Sequence, residues 1–450
     1  MTSDQSAERV HIIGAGIAGL AVALHLAKRD IPVTVLEKES CPGGLASSIT
    51  IGGNRVERFY HFICGPDVEL VRLIEEMGLK DKLHWRPCRI GYFLGGRMYA
   101  FGTPIDLLRF RPVPFSQRVR FGINVLQSRY RRSWLDLDGI PAKDWLIRQV
   151  GLEGYNQIWD PLLKVKFGEY HEQISAAWIW HRIHRVAGSR RKIWQQEHHG
   201  YLEGGTETLV NRMVADLRKR GASVQLGTAV ERILTSEGRV VGIKTNQSPN
   251  IHRCRLLCST IPLPALLPLI PERLPPPQAR ALALLKDVEY IGIVCALLNM
   301  SRPLTNSFWV NVNDSHVPFN GLIEYTRLNR HFDAGRTHLL YIPFYVPSTD
   351  EGFLKPDDVF LDECFTSLKR IEPTFDRRWV LSCLVSRAVN VQPVCKTDFA
   401  NRVPAKRGPL EGLFVSDSCQ LYPEDRTLSG MVRLGTEMAE MVQEEWKQIN

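Results

Sequence analysis

Residues 10–19 read Val10-His11-Ile12-Ile13-Gly14-Ala15-Gly16-Ile17-Ala18-Gly19, an apolar strand running directly into glycines spaced G-x-G-x-x-G. A helical stretch from Leu20 to Arg29 follows, and a second apolar strand, Val33-Thr34-Val35-Leu36, ends at Glu37. Each part has a physical purpose in holding a dinucleotide. Gly14 permits the tight turn, Gly16 lets the backbone approach a pyrophosphate, and Gly19 lets helix and sheet pack closely. The helix start at Ile17 and Ala18 offers free N–H groups and a positive dipole end to the phosphates. Glu37 lies where an acid binds ribose hydroxyls, and its charge repels a 2′-phosphate, so the expected adenosine lacks one.

A second glycine-rich turn follows Lys38: Cys41-Pro42-Gly43-Gly44-Leu45-Ala46-Ser47-Ser48. Farther on, Gly200-Tyr201-Leu202-Glu203-Gly204-Gly205 opens a helix to Arg220, with Thr228-Ala229-Val230 beyond it. Near the end, Gly412-Leu413-Phe414-Val415-Ser416-Asp417 precedes Leu428-Ser429-Gly430-Met431, which opens a helix predicted to reach Glu440. In this order the segments resemble the flavoprotein amine oxidase, protoporphyrinogen oxidase and phytoene desaturase superfamily. The resemblance implies FAD as cofactor, with Lys38 among the residues that bind it, Gly43, Gly44 and Leu45 along its flavin side and Val230 holding the adenine through its backbone. It also implies that Asp417 lies near the pyrophosphate and ribitol, and that Leu428, Ser429, Gly430 and Met431 face the flavin pyrimidine ring. Many amine oxidases have arginine where this chain has Leu45 and glycine where it has Ser416. No pair of aromatic residues stands out as an amine-binding cage.

The implied fold is α/β, α+β overall. A Rossmann-like FAD-binding domain of the glutathione reductase type is expected over 1–90, 200–260 and 400–450. A discontinuous substrate domain of helices and a mostly antiparallel sheet takes 91–199 and 261–399, with a helical, arginine-rich part at 103–199. At 450 residues two domains are the default. Strands are expected at Tyr290–Leu298, Ser307–Val312, Leu322–Thr326, His338–Tyr345 and Trp379–Ala388, with a helix at Asp357–Ile371. The ten cysteines are scattered without metal-site spacing, so no metal is expected, and Cys254 and Cys258 read as core. Met1 to Glu8 is polar, and the longest apolar stretch, 256–270, is broken by prolines. With no export signal and no membrane span, the expected location is the cytoplasm.

The net charge of +9 is unevenly spread. Arg109, Arg111, Arg118, Arg120, Arg129, Arg131 and Arg132 alternate with Phe115, Val119, Phe121, Ile123 and Leu126 in a segment without acids. Residues 109–132 therefore suit either peripheral contact with an anionic membrane at its inner face or a solvated helix packed on its own domain. No nucleic-acid motif accompanies the charge, so no specific nucleic acid is expected. A second basic group, His181, Arg182, His184, Arg185, Arg190, Arg191 and Lys192, could face the cavity and hold an anionic substrate.

A flavin carries its own redox chemistry, so few catalytic residues are needed. The candidates are His61, in Tyr60-His61-Phe62, and Lys166, in an apolar segment with Lys164. Tyr422-Pro423-Glu424-Asp425-Arg426 directly precedes the flavin-facing helix. Three functions are compatible with the resemblance. The chain is an FAD-dependent oxidoreductase oxidising or desaturating a small or lipid-linked substrate by hydride transfer to flavin N5, a flavin-dependent mutase resembling UDP-galactopyranose mutase, or a non-redox binding protein of the GDP-dissociation inhibitor type. Glu37, Gly43, Gly44 and Asp417 argue against the last. The better match of the whole motif order favours the first.

Overall fold

The computed structural model describes residues 9–189 and 195–449. Two structural layers meet across the middle of the molecule. The first is a five-stranded parallel sheet in the spatial order 223–225, 33–36, 10–13, 257–259, 413–415. Strands buried on both faces read as near-continuous apolar runs, as Val10–Ile13 and Val33–Leu36 do apart from His11 and Thr34. The helix Ile17–Ala27 is buried at every position except His25, because the helices Thr206–Lys219 and Leu428–Ile449 both pack on it. A Cβ on Gly435 would lie 2.6 Å from the carbonyl oxygen of Ala18, so first and last helices meet backbone to backbone. The last helix runs to Ile449, past the expected end at Glu440.

The second layer is a seven-stranded sheet in the order 380–393, 290–300, 338–346, 321–324, 309–313, 90–94, 97–100. Every pairing in it is antiparallel except that of 309–313 with 90–94. Its longest interior strand, Tyr290–Met300, shows period-two burial with both faces covered. Ile291, Ile293, Cys295 and Leu297 join the core facing the cofactor layer, whereas Val294, Ala296, Leu298 and Met300 pack beneath the helix Asp357–Ile371. Tyr341 and Tyr345 share the inner face.

Helices from Pro104 to Gly188 cap one end. Trp145, Trp178 and Trp180 are buried there as core, and Trp194 lies outside the described residues. All ten cysteines are free thiols, and Cys254 and Cys258 are buried. Among the described residues no helix is long and apolar enough to cross a membrane.

The helix Phe115–Tyr130 has an inverted pattern. Its buried positions are the polar Asn124 and Ser128, while Phe115, Val119, Ile123, Leu126 and Tyr130 stand exposed. Their spacing of four, four, three and four residues places all five on one stripe. The arginines are less free than the sequence suggests. Arg118 donates to the Leu108 carbonyl, Arg120 to those of Arg148 and Gln149 at a helix C-terminus, and Arg131 to Ser133 and Asp136. Arg109, Arg111 and Arg132 are exposed.

Candidate active site

The two glycine turns face each other. Gly16 and Gly43 form an isolated parallel bridge, and a Cβ on Gly44 would lie 3.4 Å from the Gly16 Cα. A Cβ on Gly16 would meet no atom within 4 Å, so the side that a pyrophosphate approaches is open. Gly19 is the opposite case: its Cβ would fall 2.0 Å from the Gly14 carbonyl oxygen. Gly14 holds φ +100°, which disfavours any side chain. No side chain caps the helix at Gly16, which leaves its first N–H groups to a ligand. The carboxylate of Glu37 is locked at the strand end by the N–H groups of Ala15 at 2.7 Å and Glu39 at 2.9 Å. Each oxygen keeps a further lone pair for a ribose hydroxyl. The N–H of Thr228 bonds the Glu37 carbonyl at 2.7 Å, which brings the segment entering Val230 beside the same acid.

Other residues implied by the resemblance sit differently. Lys38 points into solvent, with its ammonium 3.8 Å from Glu39. Leu45 lies in the short turn 44–46 and packs on the core between the layers. Asp417 is buried and committed to protein donors: Tyr290 Oη at 2.6 Å, Cys419 N at 2.7 Å and Leu263 N at 3.0 Å. Its carboxylate thus holds the loop that closes the sheet's C-terminal edge. Beside it, the buried Ser416 hydroxyl has no partner in the protein, as a group awaiting a ligand would. At the start of the last helix, Thr427 Oγ1, just before it, accepts from Gly430 N at 2.9 Å, and Ser429 Oγ donates to Glu69. Leu428 borders a small cavity that also touches His61, Glu57 and Tyr325, and Met431 packs on the cofactor-domain core.

Just before that helix, five distant segments converge. Asp425 pairs with Arg182 and, at 3.7 Å, with Lys166. The Lys166 ammonium lies 4.7 Å from the ring centre of Trp178 and 5.1 Å from that of Tyr345. The protein's own lysine therefore fills an aromatic cage that no sequence pattern revealed. Tyr345 Oη bonds Tyr60 Oη at 2.9 Å and accepts from Arg426 at 3.4 Å. Burial pushes the Lys166 ammonium down to about 7, with Asp425 pulling back up and Arg182 and Arg426 pushing further down. Burial raises Asp425, but Lys166, Arg182 and Arg426 outweigh it and hold the acid ionised. Lys166 is thus poised to exchange a proton near neutral pH.

His61 differs from its sequence expectation as a neutral-pH acid or base. Burial, with Arg426 nearby, pushes it down to about 4, so it is a neutral imidazole. Its Nδ1 lies 2.7 Å from the Phe59 carbonyl, so that nitrogen carries the proton and Nε2 is left to accept.

Among the described residues of the second basic group, only Arg182 forms an ion pair in this cluster. Arg185 pairs with the buried Asp67 at 2.9 Å and His184 with the Ser128 carbonyl. Burial holds His181 down at about 4. Arg190, Arg191 and Lys192 lie outside the described residues. Tyr345 went unrecognised because alternation in its strand marks which residues share a face, without saying what that face meets.

The family model for flavin containing amine oxidoreductases matches residues 17–419. A hydroxyneurosporene desaturase of Rubrivivax gelatinosus is 26% identical over 276 residues, covering 52% of this chain and 50% of that protein. The chain spans about half the length of the curated relatives it matches. Solved structures share the fold at lower identity. Cyclohexylamine oxidase from Brevibacterium oxydans IH-35A superposes with a TM-score of 0.73 at 16% identity, over 98% of this chain and 100% of the other. A reduced UDP-galactopyranose mutase gives 0.74 at 15%, over 97% and 96%. With an open glycine cradle, an uncapped helix start and a locked ribose acid, the residues fit FAD, and the chain belongs to the flavin containing amine oxidoreductase family.

Proposed function

We propose that the chain is an FAD-dependent oxidoreductase that oxidises or desaturates an apolar, lipid-like substrate met at the inner face of an anionic membrane. The observation that carries this reading is the exposed stripe Phe115, Val119, Ile123, Leu126 and Tyr130, flanked by arginines. Such a stripe costs solvation in water and is satisfied in an interface of acyl chains and acidic headgroups. Its helix packs directly on Ala176–Gly188, the helix that carries Trp178 and Arg182 into the cluster. The membrane-facing element and the site are thus one helix apart. The matched curated relatives are carotenoid desaturases by name, in keeping with a long apolar substrate.

Bound FAD would supply the two-electron redox chemistry. Tyr60, Tyr345 and Trp178 would line the substrate's path with aromatic surface. Lys166, partly deprotonated near neutral pH, would take or return the proton that accompanies oxidation, with Asp425 holding it in place and Arg182 favouring its neutral form. His61 would contribute a neutral acceptor at Nε2.

The test is anaerobic mixing of the oxidised holoprotein with polyisoprenoid hydrocarbons in phosphatidylglycerol-containing vesicles. Bleaching of the flavin band near ~450 nm in proportion to desaturated product is expected. A second reading, isomerisation of an anionic sugar nucleotide, is favoured by the excess of Lys166, Arg182 and Arg426 over the single acid Asp425. Isomer formed over many cycles, only after dithionite reduction and without net bleaching, would replace the first reading with the second.

A further inference from the structure

Outside the cofactor cradle and the Lys166 cluster, the described residues bring together His84, Glu203 and His331. The three come from separate parts of the chain. His84 lies on the strand Leu83–Pro87, Glu203 directly follows the strand His198–Leu202, and His331 precedes a turn at 332–335 in the substrate layer. Each offers one ligand atom, and these atoms all lie within 4.8 Å of one another. His84 Nε2 is 3.3 Å from Glu203 Oε2. Two ligands on a tetrahedral zinc, with bonds of about 2.0–2.1 Å, stand roughly 3.3–3.4 Å apart. One edge of the polyhedron is therefore already at coordination spacing, and the third ligand needs to close by up to about 1.5 Å.

The surroundings favour a built site over a chance surface encounter. His84 and Tyr201 are register partners across the antiparallel pair 83–87 and 198–202, so sheet geometry fixes the His84 backbone beside the segment that ends at Glu203. The Tyr201 hydroxyl bonds His331 Nδ1 at 2.9 Å, which orients that ring, and the His331 backbone N–H is held by Asn329 Oδ1 at 3.0 Å. The two imidazoles sit with ring centres 4.6 Å apart. Orienting partners of this kind are what metal-ligating histidines need. Half-burial of His84 and exposure of Glu203 and His331 leave an entry path and room for a water as fourth ligand.

We propose that His84, Glu203 and His331 form a divalent transition-metal site of the zinc type, which pins the loop carrying His331 onto the third glycine-rich segment. Two imidazoles and one carboxylate are a zinc donor set, and hard cations such as Mg2+ would prefer more oxygen ligands. The loop at 331 belongs to the substrate layer and Glu203-Gly204-Gly205 to the cofactor layer. Binding would therefore tie the two layers at their edge.

The experiment is titration of EDTA-treated holoprotein with Zn2+ by calorimetry, with Tm read in parallel. Expected are one equivalent bound with Kd of about 10 μM or tighter and a Tm rise reversed by EDTA. His84→Ala and His331→Ala should each weaken binding at least about tenfold. Glu203→Gln should do the same, His171→Ala should leave it unchanged, and the flavin spectrum should stay constant throughout. Absence of saturable binding, or binding retained when His84 and His331 are both replaced, overturns the proposal. The readout is independent of turnover, so it stands or falls apart from the oxidoreductase reading.

Discussion

At the scale of single residues, Gly16 separates what the fold needs from what the cofactor needs. It has ordinary negative φ and open space where a Cβ would go, so alanine costs the protein neither strain nor overlap. The same methyl group would stand where the pyrophosphate must approach. Gly16→Ala should therefore leave the Tm of the apoprotein within about 1 °C of wild type, while FAD affinity falls at least about tenfold. Parallel thermal melts and flavin titrations check this. A large loss of apoprotein stability would show that Gly16 serves packing. Gly19, whose Cβ would collide with the Gly14 carbonyl, has that structural role. Glycines three residues apart in one motif thus act through different physics.

At the scale of elements, the helix Phe115–Tyr130 is the unusual one, because its apolar stripe faces outward and its buried face carries Asn124 and Ser128. Charge alone does not describe it, since Arg118, Arg120 and Arg131 bond neighbouring backbone and side chains. Reversing those arginines would disturb helix ends as well as any headgroup contact. Replacing the exposed Val119 and Ile123 by Glu removes the apolar attraction while leaving those arginine hydrogen bonds in place. The double variant should keep its melting temperature and flavin spectrum. Its co-sedimentation with phosphatidylglycerol vesicles should fall at least about tenfold, because each side chain buried in lipid is worth about 1.5–3 kcal/mol. Equal sedimentation of variant and wild type would remove the membrane from the proposed function.

At the scale of the whole molecule, stability should depend on pH through Glu324, at the end of the strand Gly321–Glu324 in the large sheet. Its Oε2 accepts from Leu304 N at 2.9 Å and Thr305 N at 3.2 Å, while Oε1 is buried without a partner. Burial pushes this carboxyl from 4.5 up to about 7, with those two N–H groups and Arg327 pulling back. The folded state therefore binds the proton more tightly than the unfolded one. The stabilising contribution is complete below about 4.5 and is lost as pH rises through about 7. Glu324→Gln cannot ionise. It should melt with wild type at about pH 5 and about 2–3 °C above it at about pH 8. A Tm difference independent of pH would show that the carboxyl is not protonated in the native protein.

The cradle was legible in the chain because its requirements are local: a turn at Gly14, an approach at Gly16, a contact at Gly19 and an acid at a strand end, all within residues 10–37. The main strands and the helix Asp357–Ile371 were legible for the same reason, since period and breaker residues act over a few positions. Lys166 and His61 could be named as candidates, but their ionisation could not, because desolvation and the nearness of Arg426, Arg182 and Asp425 are products of packing. The convergence of Tyr60, Lys166, Trp178, Arg182, Tyr345 and Asp425 was likewise invisible. So were the commitment of Asp417 to Tyr290 and Leu263, the outward stripe at 115–130 and the grouping of His84, Glu203 and His331. The sequence by itself determined which residues share a face and where the glycine turns that suit a dinucleotide lie. Only the tertiary structure decided what each face meets, because that is set by contacts between segments far apart in the chain.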